Sequence, residues 1–234
     1  MFPETIHYTL SEKLKDFTNE YLSQPNRAAI IRKYREDLDH ISPVEATRIF
    51  NFLALRNDSF ETIKINIDKF TSIVYKPLRK NCHPKKHFNF YDKLHTENAQ
   101  LLKTIEQSRP LVKKFLHANN RQNSTFTIEI FNLLDIVRKQ TLSNKKEKKA
   151  LVHLLEKILP SYMHYFRIEK LFYDDLTQLL IDCEHLLRTN PKDNTLLNRL
   201  VGRLYFRIHL TIYREELILF PLGKQFIHER IIQF

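Results

Sequence analysis

Apolar and polar residues recur along this chain with the period of amphipathic α-helices. Residues 49–54 follow the i, i+3, i+4 spacing of a buried stripe, and residues 26–39 form an earlier helical segment. Ser42 and Pro43, with Glu45 three residues after the serine, form a capping-box start with proline at the first helical position. The pattern therefore predicts short, clearly delimited helices in the N-terminal part of the chain.

The periodic segments become longer towards the C-terminus. The pattern predicts helices over residues 88–117, 125–141, 145–180 and 194–220, separated by short polar turns. Pro160 is expected to kink or restart the third of these, because a proline inside a helix removes one backbone hydrogen bond and clashes with the preceding turn. Long amphipathic helices joined by short turns are typical of an antiparallel bundle.

A basic segment that contains proline separates the short helices from the long ones. It begins at Pro77 and is rich in Lys and Arg over residues 79–86. We therefore predict an N-terminal helical module over residues 1–78, a basic hinge over residues 79–87 and a helical bundle over residues 88–234.

The composition excludes folds that depend on glycine. Only 2 Gly occur in 234 residues, whereas an average usage of about 7 % would give roughly 16. Hairpin turns of sheet proteins and phosphate-binding loops of doubly wound folds both need glycine. With 42 % apolar residues available for a core, we predict an all-α fold: a small N-terminal helical module followed by an antiparallel helical bundle.

The chain is strongly basic. Its 38 Lys and Arg exceed its 27 Asp and Glu, which gives a formal net charge of +11. These charges are spread along the chain, whereas nucleic-acid binders usually concentrate them on one helix among aromatic stacking positions. We interpret them mainly as a solvated surface, so nucleic acid is not the expected partner. A basic nucleic-acid-binding helical protein remains a distant alternative.

The sequence does not indicate a secreted or membrane protein. Cys82 and Cys183 lie far apart with no second cysteine near either, which excludes a disulfide framework and a paired-cysteine zinc motif. The N-terminal residues lack a basic region followed by an apolar run, and no stretch approaches about 18 consecutive apolar residues. We expect a protein of the reducing cytoplasm with no membrane partner.

The side chains of this chain favour metal binding over nucleophilic catalysis as its candidate chemistry. It has no Gly-x-Ser-x-Gly elbow, no phosphate-loop motif and no cysteine with an activating signature, so an enzyme is not the favoured class. It does have 11 His, several of them beside carboxylates in the long helices. In a helical bundle, inward-pointing His and Glu from facing helices can build a metal site.

Several segments resemble hemerythrin-like (HHE cation-binding) proteins. IYREELILFPL at residues 212–222 is similar to the last helix of that family, and HYFRIEKLFY at residues 164–173 to an earlier one. NFYDKLHTEN at residues 89–98 resembles the first bundle helix, and CEHLLR at residues 183–188 resembles part of the third. Residues 42–57, SPVEATRIFNFLALRN, are similar to a short helical module that precedes such bundles in an uncharacterised bacterial family.

The resemblance implies a hemerythrin-like bundle with a candidate iron site, mono- or di-nuclear. The residues that it suggests as ligands are His164, Glu215, Asp92, His185 and Glu169. His164 and Glu215 each precede an aromatic-rich helix end. We therefore expect these two residues, with Asp92 or His185, to point inward within one cluster.

Departures from the family pattern leave the function open. Ile168 stands where hemerythrins place a bridging glutamate, and Thr211 stands where a histidine is expected. One hypothesis is a degenerate member that acts as a sensor or interaction scaffold for an unknown protein partner, with a partial or lost iron site. The alternative is a functional iron-binding protein for oxygen, nitric-oxide or iron handling.

Overall fold

The computed structural model describes residues 11–56, 58–81, 89–117, 125–189 and 194–227. Throughout these residues every regular element is helical, so the predicted all-α class is confirmed. None of the helices in the described ranges is long and apolar enough to cross a membrane.

Eleven α-helices cover most of the described residues. A 3₁₀ turn lies between α8 and α9, and a π-helical segment joins α10 to α11. The elements in chain order are α1 Glu12–Ser23, α2 Arg27–Lys33, α3 Arg35–Asp39, α4 Pro43–Leu55, α5 Phe60–Asn81, α6 Asn89–His117, α7 Thr125–Ser143, α8 Lys145–Ile158, the 3₁₀ turn Pro160–Tyr162, α9 Met163–Thr189, α10 Asn194–Arg214, the π-segment Glu215–Leu219 and α11 Phe220–Phe226.

The helix α4 begins with the predicted capping box. The backbone N–H of Glu45 donates to the Ser42 hydroxyl at 3.2 Å, and the backbone N–H of Ser42 donates to the Glu45 carboxylate at 2.9 Å. Pro43 occupies the first helical position, where no N–H is needed. Local sequence alone therefore fixes where this helix starts.

The helix α5 extends further than the sequence predicts. The expected break begins at Pro77, but α5 continues through this proline to Asn81. Val74 and Leu78, on either side of Pro77, are both buried on the same stripe of the helix. Their burial holds a turn that proline alone would weaken. The rest of the predicted hinge, residues 82–87, lies outside the described residues.

Pro160 restarts the helix, as predicted. The 3₁₀ turn Pro160–Tyr162 separates α8 from α9. The backbone N–H of Tyr162 donates to the Leu159 carbonyl at 2.9 Å, which closes this tight turn. Pro110, in contrast, lies inside α6 without ending it.

The C-terminal helical segment differs from the prediction in length and winding. The sequence predicts an end near Pro221, but helical structure continues to Phe226. In the π-segment between Glu215 and Leu219 the helix is wider, and the N–H of Phe220 donates to the Glu215 carbonyl five residues back. Pro221 lies in the first turn after this segment, where a missing N–H donor interrupts the helix least.

Two compact units divide the chain. The first unit comprises the described parts of residues 1–86, 152–169 and 213–234, and the second comprises those of residues 87–151 and 170–212. The predicted N-terminal module thus packs with two stretches that the sequence assigned to the bundle. The reason is tertiary contact, because α4 packs against the 3₁₀ turn, the π-segment and α11.

Aromatic side chains form much of the core of the first unit. The ring centroid of Phe17 lies 5.5 Å from those of both Tyr34 and Phe70. Phe50 of α4 lies 5.2 Å from Tyr165 of α9. Tilted and edge-on pairs at such distances contribute about 0.5–1.5 kcal/mol each beyond the gain from burial.

The second unit has a mainly aliphatic core. Its helices α6, α7, α9 and α10 each contribute buried side chains to one cluster. Van der Waals packing, rather than directional polar contact, therefore holds this core together. Its buried members are Leu101, Ile105, Phe115, Ile130, Leu134, Val137, Leu176, Leu179, Leu180, Cys183, Leu186, Leu187, Leu197, Leu204, Ile208 and Ile212.

Candidate functional site

A buried arginine organises a polar region inside the first unit. Arg214, the last residue of α10, is 0 % exposed. Its Nε–H donates to both carboxylate oxygens of Glu169, at 2.9 and 3.1 Å, and its Nη1 donates to Oδ1 of Asp68 at 3.3 Å. Asp68 and Glu169 are themselves buried. These three side chains form what we call the ion-pair cluster.

Burial and ion pairing act in opposite directions on the pKa values of the cluster. Burial alone would lower the pKa of Arg214, but the Glu169 and Asp68 carboxylates more than offset it and raise this pKa above its ordinary value. Burial raises the pKa of Glu169, and the net shift stays upward although Arg214 opposes it. Arg214 is therefore charged, whereas Glu169 binds a proton more readily than an exposed glutamate does.

Glu215 and Tyr165 lie beside the ion-pair cluster. Glu215 is the first residue of the π-segment and is 0 % exposed, and its charge adds to the upward shift in the pKa of Glu169. Tyr165 is fully buried, and burial first and Glu169 second raise the pKa of its phenol well above the ordinary value. A buried carboxyl group whose pKa is raised, as that of Glu169 is, is a candidate for metal ligation or proton binding.

Three parts of the chain supply these side chains. Asp68 comes from α5, Tyr165 and Glu169 come from the start of α9, and Arg214 and Glu215 lie where α10 meets the π-segment. Tyr165 and Glu169 are four residues apart and so share one face of α9. π-turns inside α-helices are frequent at functional sites. The position of the π-segment beside these side chains therefore makes the ion-pair cluster a candidate functional site.

The predicted ligand residues have different surroundings. Glu169 and Glu215 are both fully buried and lie together. His164 precedes Glu169 by five residues, about 140° around the axis of α9, and is half-buried. Asp92 is half-buried and His185 is exposed, and both belong to the second unit. The unit that holds the two glutamates therefore does not include Asp92 or His185.

The ion-pair cluster does not offer the set of donors that an iron centre uses. Both oxygens of Glu169 accept hydrogen bonds from Arg214. Within the residues that the structure describes, no group of three or more His, Cys, Asp or Glu side chains is arranged to hold a metal ion. Bundle iron sites need such a group, with His and Glu converging from facing helices. An iron site thus stays a prediction from the sequence resemblance.

The sequence patterns do not predict Arg214 and Asp68 as members of a site. A charged residue on the apolar stripe of an amphipathic helix is a usable signal, because burial forces it to find a partner. Asp68 directly follows the buried Ile67 of α5, and Arg214 follows the buried Leu210 by four residues and so lies on the same face of α10. This signal predicts that Asp68 and Arg214 are buried charges of opposite sign, but it does not predict that they pair with each other.

Comparison with protein-family models, curated proteins and solved structures finds no match to this chain. The resemblance to hemerythrin-like proteins therefore rests on the sequence motifs alone.

Proposed function

We propose that this protein is an interaction scaffold, a degenerate hemerythrin-like protein in which a guanidinium has replaced the metal at the carboxylates. The observation that carries the proposal is the fully buried Arg214, whose Nε–H bonds both oxygens of Glu169. A guanidinium brings a permanent positive charge and several donors in one plane, so it can satisfy a buried carboxylate without a metal.

The residues at the altered family positions support the same proposal. Ile168 and Thr211 remove one carboxylate and one imidazole from the pattern that the resemblance implies. Iron at Glu169 would compete with Arg214 for the same carboxylate, and a buried charge whose pairing is weakened is penalised by up to several kcal/mol. The competition between iron and the guanidinium therefore favours the ion pair.

The proposed partner is a protein with an acidic surface. The chain has a formal net charge of +11, and complementary charge raises the rate and the specificity of association. The ion-pair cluster has a structural role in this proposal, since it fixes how α5, α9 and α10 meet inside the first unit.

The test is iron analysis of protein purified without a histidine tag and then incubated anaerobically with Fe(II). We expect well under one iron per chain after desalting, and no change in the melting temperature. One or two irons per chain, together with a raised melting temperature, would contradict the proposal and support the functional iron-binding alternative.

His164→Leu provides a second readout of the same question. In a scaffold without metal, removal of a half-buried imidazole should leave the melting temperature unchanged or slightly raised. In an iron protein the same change should remove the metal and lower the melting temperature. His153→Leu is the matched control, because His153 is exposed and is not among the predicted ligands.

A further inference from the structure

Helix α10 carries charges of one sign only. The helices α5 to α9 each contain both acidic and basic residues, whereas α10 contains four arginines and neither Asp nor Glu. Two of the arginines are used inside the protein: Arg207 lies 3.5 Å from Asp175, and Arg214 belongs to the ion-pair cluster. Arg199 and Arg203 are exposed, and neither forms an ion pair within the part of the chain that the structure describes. The helix therefore presents two positive charges to solvent.

An exposed aromatic ring lies on the same side of α10. Phe206 follows Arg203 by three residues and Arg199 by seven, so the three side chains lie within about 60° of one another around the helix axis. Phe206 is 52 % exposed. Gly202 lies beside them and is exposed, and a Cβ added there would meet no atom within 4 Å. These four residues all belong to the second unit, and we call them the α10 face.

One carboxylate lies near the α10 face, on the neighbouring helix α9. Burial raises the pKa of the Cys183 thiol, Asp182 raises it further and Arg203 lowers it, so both charges lie near that thiol. Asp182 is exposed, accepts its hydrogen bond from within α9 and, among the described residues, forms no ion pair with Arg203. Glu184 lies 3.4 Å from Arg138 of α7. Asp182 therefore reduces the positive potential at Arg203 without neutralising the face.

The spacing of the α10 face fits a second helix of opposite charge. Arg199 and Arg203 are about 6 Å apart along the axis, and glutamates four residues apart on another helix have the same spacing. Gly202 leaves the backbone of α10 uncovered beside them, which allows another backbone to approach closely. Phe206 adds apolar area that an aliphatic side chain of such a helix can bury.

Two other occupants fit the α10 face less well. Single-stranded nucleic acid is bound along a basic groove in which several aromatic side chains stack on successive bases. The α10 face has one aromatic residue, and it ends at Leu210, which follows Phe206 by four residues and is buried. A second copy of this chain would approach with charge of the same sign, because the formal net charge is +11.

We propose that the α10 face binds an acidic amphipathic helix of a partner protein. Two carboxylates of that helix contact Arg199 and Arg203, and an apolar side chain covers Phe206. The inference rests on the proposed scaffold function and adds the place and the conformation in which the acidic partner binds. Its outcome is distinguishable from that of the iron analysis, since the face lies in the second unit and the ion-pair cluster in the first.

The test measures the fluorescence anisotropy of a rhodamine-labelled peptide titrated with the full chain. The peptide is an alanine-based helix with two glutamates four residues apart and a leucine three residues outside each, so it fits the face in either direction. We expect saturable binding with a Kd below about 1 mM, weakened by added salt. The matched peptide with glutamine in place of glutamate should bind about four- to 25-fold more weakly. No binding of the glutamate peptide, or equal binding of both peptides, overturns the proposal and leaves the iron result unaffected.

Substitutions in the full chain locate the binding site. Arg199→Gln should weaken peptide binding by about two- to fivefold, and Phe206→Ser by about tenfold. Gly202→Gln covers the backbone without changing the charge and should also weaken it. Asp182→Asn should strengthen binding by about twofold, an effect that partial unfolding would not produce. Lys146→Gln, at an exposed position of α8 in the same unit, is the matched control and should bind as the wild type does.

Two results would overturn the assignment of this face. One is wild-type affinity for the peptide in both Arg199→Gln and Phe206→Ser, each shown to be folded by circular dichroism. The other is tighter binding of a single-stranded oligothymidylate than of the peptide, with the same two variants weakening it, which would assign the face to nucleic acid.

Discussion

The main cores of the two compact units differ in composition, although the second unit also buries a hydrogen bond from Lys148 to Asn98 outside its core cluster. The first unit buries a guanidinium and carboxylates that are joined by directional bonds, whereas the core cluster of the second is almost entirely hydrocarbon and borders a cavity. A bonded network requires particular partners in particular places. An aliphatic core tolerates substitutions that conserve its volume. We therefore expect the first unit to be sensitive to the removal of charge and the second to respond mainly to volume.

Removal of the buried guanidinium should have the largest effect. Arg214→Met keeps an unbranched side chain of similar length but leaves Asp68 and Glu169 without their shared cation. We expect a loss of about 3–5 kcal/mol in the free energy of unfolding, measured by urea denaturation. Arg203→Met, an exposed position on the same helix, is the control and should change it by less than about 0.5 kcal/mol. A loss below about 1 kcal/mol for Arg214→Met would show that the cluster is not essential to the unit.

Cysteine reactivity measures how tightly the second unit is closed. Burial raises the pKa of the Cys183 thiol to about 12, so at pH 8 its thiolate fraction should be about a thousandfold lower than that of an exposed thiol. In a Cys82→Ser variant, modification by a thiol reagent should therefore be slow in buffer and fast in denaturant. Similar rates in the two conditions would indicate that the aliphatic core opens readily.

A matched pair of substitutions compares the packing of the two interiors directly. Val137→Ile adds a methylene beside the cavity and should stabilise the protein by about 0.5–1 kcal/mol. Val152→Ile adds the same group at a fully buried position of the first unit, where overpacking should destabilise it by about 1–3 kcal/mol. Thermal unfolding of both variants is the measurement. If both substitutions changed the stability in the same direction, the proposed difference in packing would be contradicted.

The smallest expected effect concerns Gly202 on α10. A Cβ added there meets no atom within 4 Å. Gly202→Ala should therefore stabilise the protein by about 0.5–1 kcal/mol, because alanine loses less conformational entropy in a helix. The reverse change at an exposed helical site of the same unit, Ala99→Gly, should destabilise it by a similar amount. A loss of stability in Gly202→Ala, measured by urea denaturation, would contradict this expectation.

The sequence predicted those features of the fold that depend on neighbouring residues. The capping box at Ser42 and the helix restart at Pro160 are local signals, and both are present in the structure. Pro77 is also a local signal, but the burial of Val74 and Leu78 overrides it. A local signal determines where a helix begins or ends unless the free energy of tertiary packing outweighs it.

The candidate site was only partly predictable for the same reason. Glu169 and Glu215 were identified through the motif resemblance, whereas the pairing of Arg214 joins residues 45 and 146 positions apart in sequence. Contacts over such separations depend on the complete fold, and helical periodicity carries no information about them. A single sequence can mark a charge as buried but cannot identify its partner.

The π-segment has a consequence for sequence alignment. Its backbone hydrogen bond from Phe220 to Glu215 encloses one residue more than an α-helical turn does. The apolar periodicity on its two sides is therefore out of phase by one position. A homologue with an uninterrupted α-helix here would align only if a single gap were opened between Arg214 and Phe220. An ungapped alignment would match the residues on one flank of the π-segment, before or after it in sequence. It would shift every residue on the other flank by one position.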